Sequence, residues 1–288
     1  MSHHEQDIND LGLAADLNML IRSHADRRRI LKLGAVGVVM LLTGGLGARA
    51  KAAPPAQADC TTIPAETAGP YPADGSSASG QTLNVLTRSG VVRQDIRPSL
   101  STATVADGVP CSIELTLANV NGSCAPVAGY AVYIWHCDRL GRYSMYTSGV
   151  TNEDYLRGVQ AAGADGKVTF TTIFPGCYAG RWPHVHFEVY PSLAQATGPA
   201  NIIHTSQLAI PREVCEQVYA LPTYPSSAQN LSRITLQSDN VFGNDGGEHQ
   251  IATVSGNVSD GYLLQLTVGV HGAEIDLSNK LYLPALSR

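Results

Sequence analysis

Beyond about residue 110, apolar and polar positions change places every second residue in short runs. Ile113, Leu115 and Leu117 alternate with polar neighbours, and Val168 to Ile173 alternates with threonine. A period of two sends successive side chains to opposite faces, so each run predicts a strand with one face toward a core. Ala131 to His136, Pro183 to Tyr190, Ser206 to Ile210, Gln250 to Val254 and Tyr262 to Val270 are further strand candidates. Turn signals stand between the runs at Asn121-Gly122, Asp165-Gly166, Asn244-Asp245-Gly246-Gly247 and Asp260-Gly261. Asp59 to Ser79 is rich in Pro, Gly, Ser and Thr and predicts an extended arm, within residues 53–80. Residues 53–288 show no internal repeat and no long helical pattern. Short strands with turns at this spacing predict an all-β fold, a single immunoglobulin-like β-sandwich.

Composition changes the picture little. The chain has 288 residues, 44% hydrophobic and 15% charged, enough for a packed core and too apolar for a disordered chain. A net charge of −5 argues against a nucleic-acid partner held through phosphates. Tyrosine, at 12, outnumbers phenylalanine, at 4, a surplus that gains meaning below.

The first fifty residues read as an address. Arg27-Arg28-Arg29 precedes an uncharged apolar run, Leu33 to Leu46, and small residues follow at Ala48-Arg49-Ala50. The run is shorter than the roughly 20 apolar residues a spanning helix needs. The layout is that of a signal peptide, and its adjacent arginines resemble a twin-arginine signal. Upstream, Leu13, Leu17, Leu20 and Ile21 fall at helical spacing. Residues 1–52 are therefore expected to be a signal segment and residues 53–288 one catalytic domain. The alternative is an uncleaved membrane anchor. With the signal removed, no stable membrane association is expected, and the product is periplasmic or extracellular. The sequence does not decide its oligomeric state.

All six cysteines (Cys60, Cys111, Cys124, Cys137, Cys177, Cys215) follow the signal segment. An even number in an exported chain suggests disulfides. Cys111 and Cys124 flank one strand and turn, and are the expected bridge; buried free thiols are the alternative. No C-x-x-C occurs, which speaks against a cysteine-based zinc site.

The most informative run is Gly180 to Tyr190. On a strand, His184, His186 and Glu188 share one face while Val185, Phe187 and Val189 share the other. Two imidazoles at i and i+2 can grip one metal; a hydrogen-bonded pair in a wet groove is the plain alternative. Trp135-His136-Cys137-Asp138-Arg139-Leu140-Gly141-Arg142-Tyr143-Ser144 ends a strand in a polar turn that delivers a tyrosine, and Phe174-Pro175-Gly176-Cys177-Tyr178 delivers another. Taken singly, such tyrosines are ordinary packing residues with a satisfied hydroxyl.

Taken together, W-H-x-D-x-x-G-x-Y-S, P-G-x-Y and R-x-P-H-x-H-F resemble the intradiol ring-cleavage dioxygenases. Ile63 to Pro72, Asp95-Ile96-Arg97, Tyr155 to Gln160 and Thr205 to Leu208 extend the resemblance over roughly Cys60 to Val270. It implies an Fe(III) cofactor held by Tyr143, Tyr178, His184 and His186. It also implies intradiol cleavage of a catechol-type substrate by O2 to a muconate-type diacid. The donor chemistry agrees, because ferric iron prefers hard anionic oxygen, whereas a 2-His-1-carboxylate set suits iron(II). By the same resemblance, Tyr178 is the ligand that leaves the metal as base and Tyr143 remains bound. Arg181 stands beside the ring to stabilise negative charge, and Tyr71 and Gln207 reach the substrate. His136 and Asp138 are supporting groups. His204, His249 and His271 belong to no motif.

Only Ala179 to Pro183 separate Tyr178 from His184, fewer than in cytoplasmic members, and the N-terminal helical region of catechol dioxygenases is not recognisable. Both departures predict an open, tolerant pocket. The rival readings are a His-based zinc or copper enzyme and a non-catalytic extracellular binding module.

Overall fold

The computed structural model describes residues 60–271. The expected signal segment, the start of the arm and residues 272–288 lie outside the described residues.

Two β-sheets carry the fold. In the first, β10 (Thr253–Asn257) pairs with β11 (Gly261–Val270), which runs parallel to β3 (Pro110–Asn119). The far edge of β3 is shared by β7 (Lys167–Ile173) and the short β4 (Ala125–Pro126). The second sheet is antiparallel, in the order β6 (Arg157–Ala161), β5 (Ala131–Trp135), β8 (His184–Tyr190), β9 (His204–Ala209). A two-stranded ribbon, β1 (Asp74–Ala78) and β2 (Gln81–Asn84), continues from the arm. This is the all-β sandwich that the alternation predicts.

The core lies where the alternation points. Ile113, Leu115 and Leu117 of β3 and Leu264, Leu266 and Val268 of β11 belong to one buried cluster with Val132, Ile134, Val185, Phe187 and Val189 of the second sheet. Each such side chain contributes about 1.5–3 kcal/mol when fully buried. The other face of the second sheet is buried as well. Tyr133 and Trp135 of β5 belong to a second cluster with Tyr143, Met145 and Tyr146 from the following loop and Ala73 from the arm. Strands β5 and β8 are therefore buried along their whole length, with the core on one side and a loop-covered chamber on the other.

Several expectations need correction. The disulfide joins Cys60 to Cys124, with Cα atoms 5.6 Å apart, and not Cys111 to Cys124. Cys111 points inward from β3 and is a buried free thiol, as are Cys137, Cys177 and Cys215. Strand β10 begins three residues later than the apolar run at Gln250 suggests. Two short helices, α1 (Arg212–Tyr219) and α2 (Ser227–Leu231), follow β9. α1 starts directly after Pro211, which supplies no backbone N–H, and buries Val214, Cys215, Val218 and Tyr219.

From Cys60 the arm crosses the edges of both sheets. Ile63 N–H donates to Gly269 O at the end of β11, and Glu66 N–H donates to Thr205 O on β9. Ser206 Oγ and Gln207 Nε2 then donate to Pro64 O and Thr67 O. The arm ends over the chamber beneath which β5 and β8 lie.

Candidate metal centre

Two interlocked turns deliver the tyrosines. Asp138 Oδ1 accepts from the N–H groups of Leu140 and Arg142 at 2.9 and 3.0 Å, and Oδ2 accepts from Arg142 Nε and the Tyr155 hydroxyl. The turn pivots on Gly141, whose φ of +81° suits glycine and whose missing Cβ would stand 3.0 Å from Tyr178 Cβ. On the other turn, Gly176 N–H donates to Asp138 O at 3.0 Å, and a Cβ at Gly176 would lie 2.7 Å from Arg139 O. Each turn thus needs a glycine where the other presses on it, which explains why Gly141 precedes Tyr143 and Gly176 precedes Tyr178 by two residues each.

The strand supplies the rest. On β8, His184 and His186 point into the chamber as the period of two requires. His184 Nδ1 donates to Trp182 O at 2.5 Å, which fixes the proton on Nδ1 and leaves a lone pair on Nε2. Three groups crowd that lone pair: Tyr143 Oη at 3.2 Å, Tyr178 Oη at 3.3 Å and His186 Nε2 at 3.0 Å. One imidazole nitrogen accepts one hydrogen bond, so hydrogen bonding alone does not satisfy this convergence. A cation among the four atoms does. His186 is seated by Trp135, whose ring stacks on the imidazole at 4.8 Å and 5°, and His186 Nδ1 is a buried polar atom with no hydrogen-bond partner.

Electrostatics point the same way. Burial, and then the neighbouring Tyr178, hold the Tyr143 phenol well above its ordinary pKa. Burial and then nearby positive charge push both histidines well below theirs, Arg181 acting on His184, and His184 and then Arg181 on His186. The surroundings by themselves favour a neutral Tyr143 phenol and neutral imidazoles. Neutral imidazole is the metal-binding form, and a bound multivalent cation is what would make phenolate favourable here. Two phenol oxygens with two imidazole nitrogens make a hard, oxygen-rich donor set that fits ferric iron. Glu188 shares the strand face but is engaged elsewhere, accepting from the Tyr190 hydroxyl at 2.7 Å. Among the described residues, no cluster of three or more His, Cys, Asp and Glu is placed to hold a metal, so any site here depends on the tyrosines.

The other expected residues surround this point. Arg181 is buried, its Nε 3.0 Å from Asp239 Oδ2 and one terminal nitrogen donating to Gln207 Oε1 at 2.6 Å. That ion pair is buried on both sides. Gln207 lies opposite His186 in the β8–β9 register and ties the arm through Thr67 O. Tyr71, half-buried on the arm, packs its ring 4.9 Å from that of Tyr143. His136 is spent on Cys137 O and Thr172 Oγ1, 2.8 and 2.7 Å away, as a supporting group. His204 is half-buried at the start of β9, and His249 and His271 are exposed.

Two residues of this region escaped sequence reasoning. Asp239 Oδ2 accepts from Arg181 Nε and Trp182 N–H, while Oδ1 accepts from the N–H groups of Val241 and Phe242. It lies in a stretch with no strand pattern and no motif, so nothing local marks it. Arg157, at the start of β6, was visible only as part of a matching run.

Comparison with known proteins finds similarity over this part of the chain. Residues 100–204 match the Dioxygenase_C family model, described as dioxygenase, a span that includes both tyrosines and both histidines. Catechol 1,2-dioxygenase 1 of Acinetobacter lwoffii is 31% identical over 183 residues, which cover 55% of this chain and 53% of that protein. Both findings are likenesses to dioxygenases. The chain spans about half the length of the curated relative it matches. The solved intradiol ring-cleavage dioxygenase from Tetranychus urticae superposes with a TM-score of 0.56 at 23% identity, over 75% of this chain and 98% of that one. That likeness is one of fold.

Proposed function

We propose that this chain is an exported non-haem iron(III) intradiol dioxygenase that opens a catechol-type ring with O2 to a muconate-type diacid. The observation that carries the reading is the convergence of Tyr143, Tyr178, His184 and His186 within hydrogen-bond distance of one imidazole nitrogen. Those four residues would hold the iron. When bound, ferric iron would supply the Lewis acidity that keeps a catechol in its doubly deprotonated form.

The chain's own residues divide the remaining work. Tyr143 is buried and Tyr178 only partly so, which makes Tyr178 the more accessible of the two to take a substrate proton at its phenolate oxygen. Arg181 sets a fixed cation beside the site, its guanidinium oriented by Asp239 and Gln207 and its charge felt by Tyr143, His184 and His186. Such preorganised charge stabilises an anion developing on the substrate ring without reorganisation cost. Tyr71 and Gln207 form the arm-side wall. By the resemblance, the short link from Tyr178 to His184 lacks the added roof of cytoplasmic members, which would suit larger or substituted catechols.

Residues 1–52 are read as the signal and residues 53–288 as the catalytic unit. The Cys60–Cys124 bridge supports an oxidising destination. The test is turnover by the purified, iron-loaded full-length chain over a series of catechols. Consumption of one O2 per ring with formation of the ring-opened diacid is expected, and chelation of the iron should abolish it. No O2 uptake with any member of the series would refute the activity; sharp preference for a single small catechol would refute the open pocket.

A further inference from the structure

Arg157 is a fully buried arginine with its guanidinium spent on neutral acceptors from the arm, from β5 and from the loop that carries Tyr143. One terminal nitrogen donates to Pro72 O at 2.9 Å and to the Tyr133 hydroxyl at 3.0 Å. Nε donates to Ser144 Oγ at 3.0 Å, and the other terminal nitrogen donates to Ser144 O at 3.0 Å. Its Cζ sits 5.5 Å from the centre of the Tyr146 ring. Pro72 is the neighbour of Tyr71, and Ser144 is the neighbour of Tyr143. The arginine therefore grips the backbone next to both tyrosines, whose rings pack with centroids 4.9 Å apart at a tilt of 32°.

The grip closes on itself. The Tyr146 hydroxyl, in the loop that follows Tyr143, accepts from Ala73 N–H at 2.9 Å, joining the arm and that loop a second time. Tyr133 donates to Pro72 O at 2.7 Å. Two residues on this path, Ala73 and Met145, have positive φ, 51° and 71°, conformations that non-glycine side chains rarely adopt without surrounding support. Arg157 is itself pinned: Arg93 donates to its carbonyl from Nε at 3.0 Å and from a terminal nitrogen at 2.7 Å. The next residue is Gly158, where a Cβ would fall 2.4 Å from Ile96 Cγ2.

A guanidinium fork reaches acceptors in several fixed directions at once, which an ammonium on a flexible stem does not. We infer that Arg157 is a positioning residue that locks the arm's Tyr71 onto Tyr143, so that arm docking and the orientation of that metal-ligand candidate form one unit. The inference rests on the proposed iron site for its functional meaning, while the clamp itself is a property of the chain.

The test compares wild type, Arg157→Lys and Arg157→Gln as full-length, iron-loaded proteins. Two readouts are taken: the visible absorption at measured iron content, and amide hydrogen exchange. Exchange at Ala73, in the arm, and at Thr147, whose N–H donates to Tyr143 O at 2.9 Å, should speed up together in both variants. The expected change is about tenfold, the size that goes with losing one or two hydrogen bonds. Amides of β3 and β11 should keep their protection, which separates the effect from general unfolding. With iron content equal to wild type, the absorption maximum should shift in both variants, because lysine keeps the charge and loses the fork. An unshifted band, restoration of both readouts by lysine, or faster exchange in one segment without the other would overturn the inference. A wild-type protein that binds iron without colour would instead refute the proposed function, and the paired exchange of Ala73 and Thr147 would still judge the clamp.

Discussion

Replacing Asp239 by asparagine removes a charge and almost no volume. In the folded protein Arg181 Nε stands 3.0 Å from Asp239 Oδ2, with both side chains at 1% exposure or less. Removing one partner of a buried pair leaves the other charge uncompensated and costs about 3–5 kcal/mol. Against a typical total of about 5–15 kcal/mol, that is a large share. A fold of this size loses about 2–4 °C in Tm per kcal/mol, so Asp239→Asn should melt about 6–20 °C below wild type at neutral pH. Burial alone would raise the Asp239 pKa, but Arg181 and the Trp182 and Phe242 N–H groups outweigh it and hold the carboxyl below its ordinary value. A depressed folded pKa means that the stabilisation is present above the unfolded value, about 3.9, and is lost as pH falls through the folded one. The gap between variant and wild type should therefore close on acidification below about pH 4. Thermal melts from pH 7 down to pH 3 measure both effects. A neutral-pH shift under about 2 °C, or a gap that stays constant with pH, would refute the reasoning.

Two further outcomes follow from the same kind of reading. The bridge between Cys60 and Cys124 closes a separation of 64 residues and fastens the start of the arm, so Cys60→Ser should cost about 2–4 kcal/mol. Reductant should bring the wild-type Tm down to that of the variant, and an unchanged wild-type Tm in reductant would contradict the role. Asp154 accepts from Ser99 Oγ at 2.9 Å, Ser101 Oγ at 2.5 Å and Arg88 at 2.5 Å, and, although burial opposes it, these bonds bring its pKa down to about 2. Its stabilisation should hold above about pH 3.9 and disappear as pH falls toward 2; urea midpoints of Asp154→Asn and wild type should converge over that interval, and parallel midpoints would reject the assignment.

The sandwich was legible because its inner strands obey one rule. Ile113, Leu115 and Leu117 alternate inward, and Val185, Phe187 and Val189 do the same opposite them. β6 was missed because it opens with Arg157 and Gly158, a buried charge and a residue chosen for the absence of a side chain. Neither looks like a strand, and both are explained only by what packs against them. β10 is an edge strand with four of its five residues exposed, so burial imposes no alternation on it, and the apolar run at Gln250 misplaced it. The disulfide was misread because sequence proximity favoured Cys111, whereas side-chain direction decides: Cys111 faces the core, and the arm carries Cys60 to the turn at Cys124.

The candidate site was more legible than the fold, since its chemistry sits in three short motifs. His184 and His186 declare themselves by the period of two. Tyr143 and Tyr178 stand out from the ten other tyrosines only through their motifs, and the structure explains the glycine two residues before each by the interlocking of their turns. Asp239 had no signal at all, because its importance is made by a contact across 58 residues.

The proposed hold of two tyrosines and two histidines on ferric iron is tested most directly by the visible spectrum of the iron-loaded protein. Tyrosinate bound to iron(III) absorbs strongly in the visible through charge transfer. The wild type should be coloured, and Tyr143→Phe should bleach or shift the band and retain less iron. A colourless wild type at one iron per chain, or a Tyr143→Phe protein with unchanged spectrum and iron content, would contradict the account.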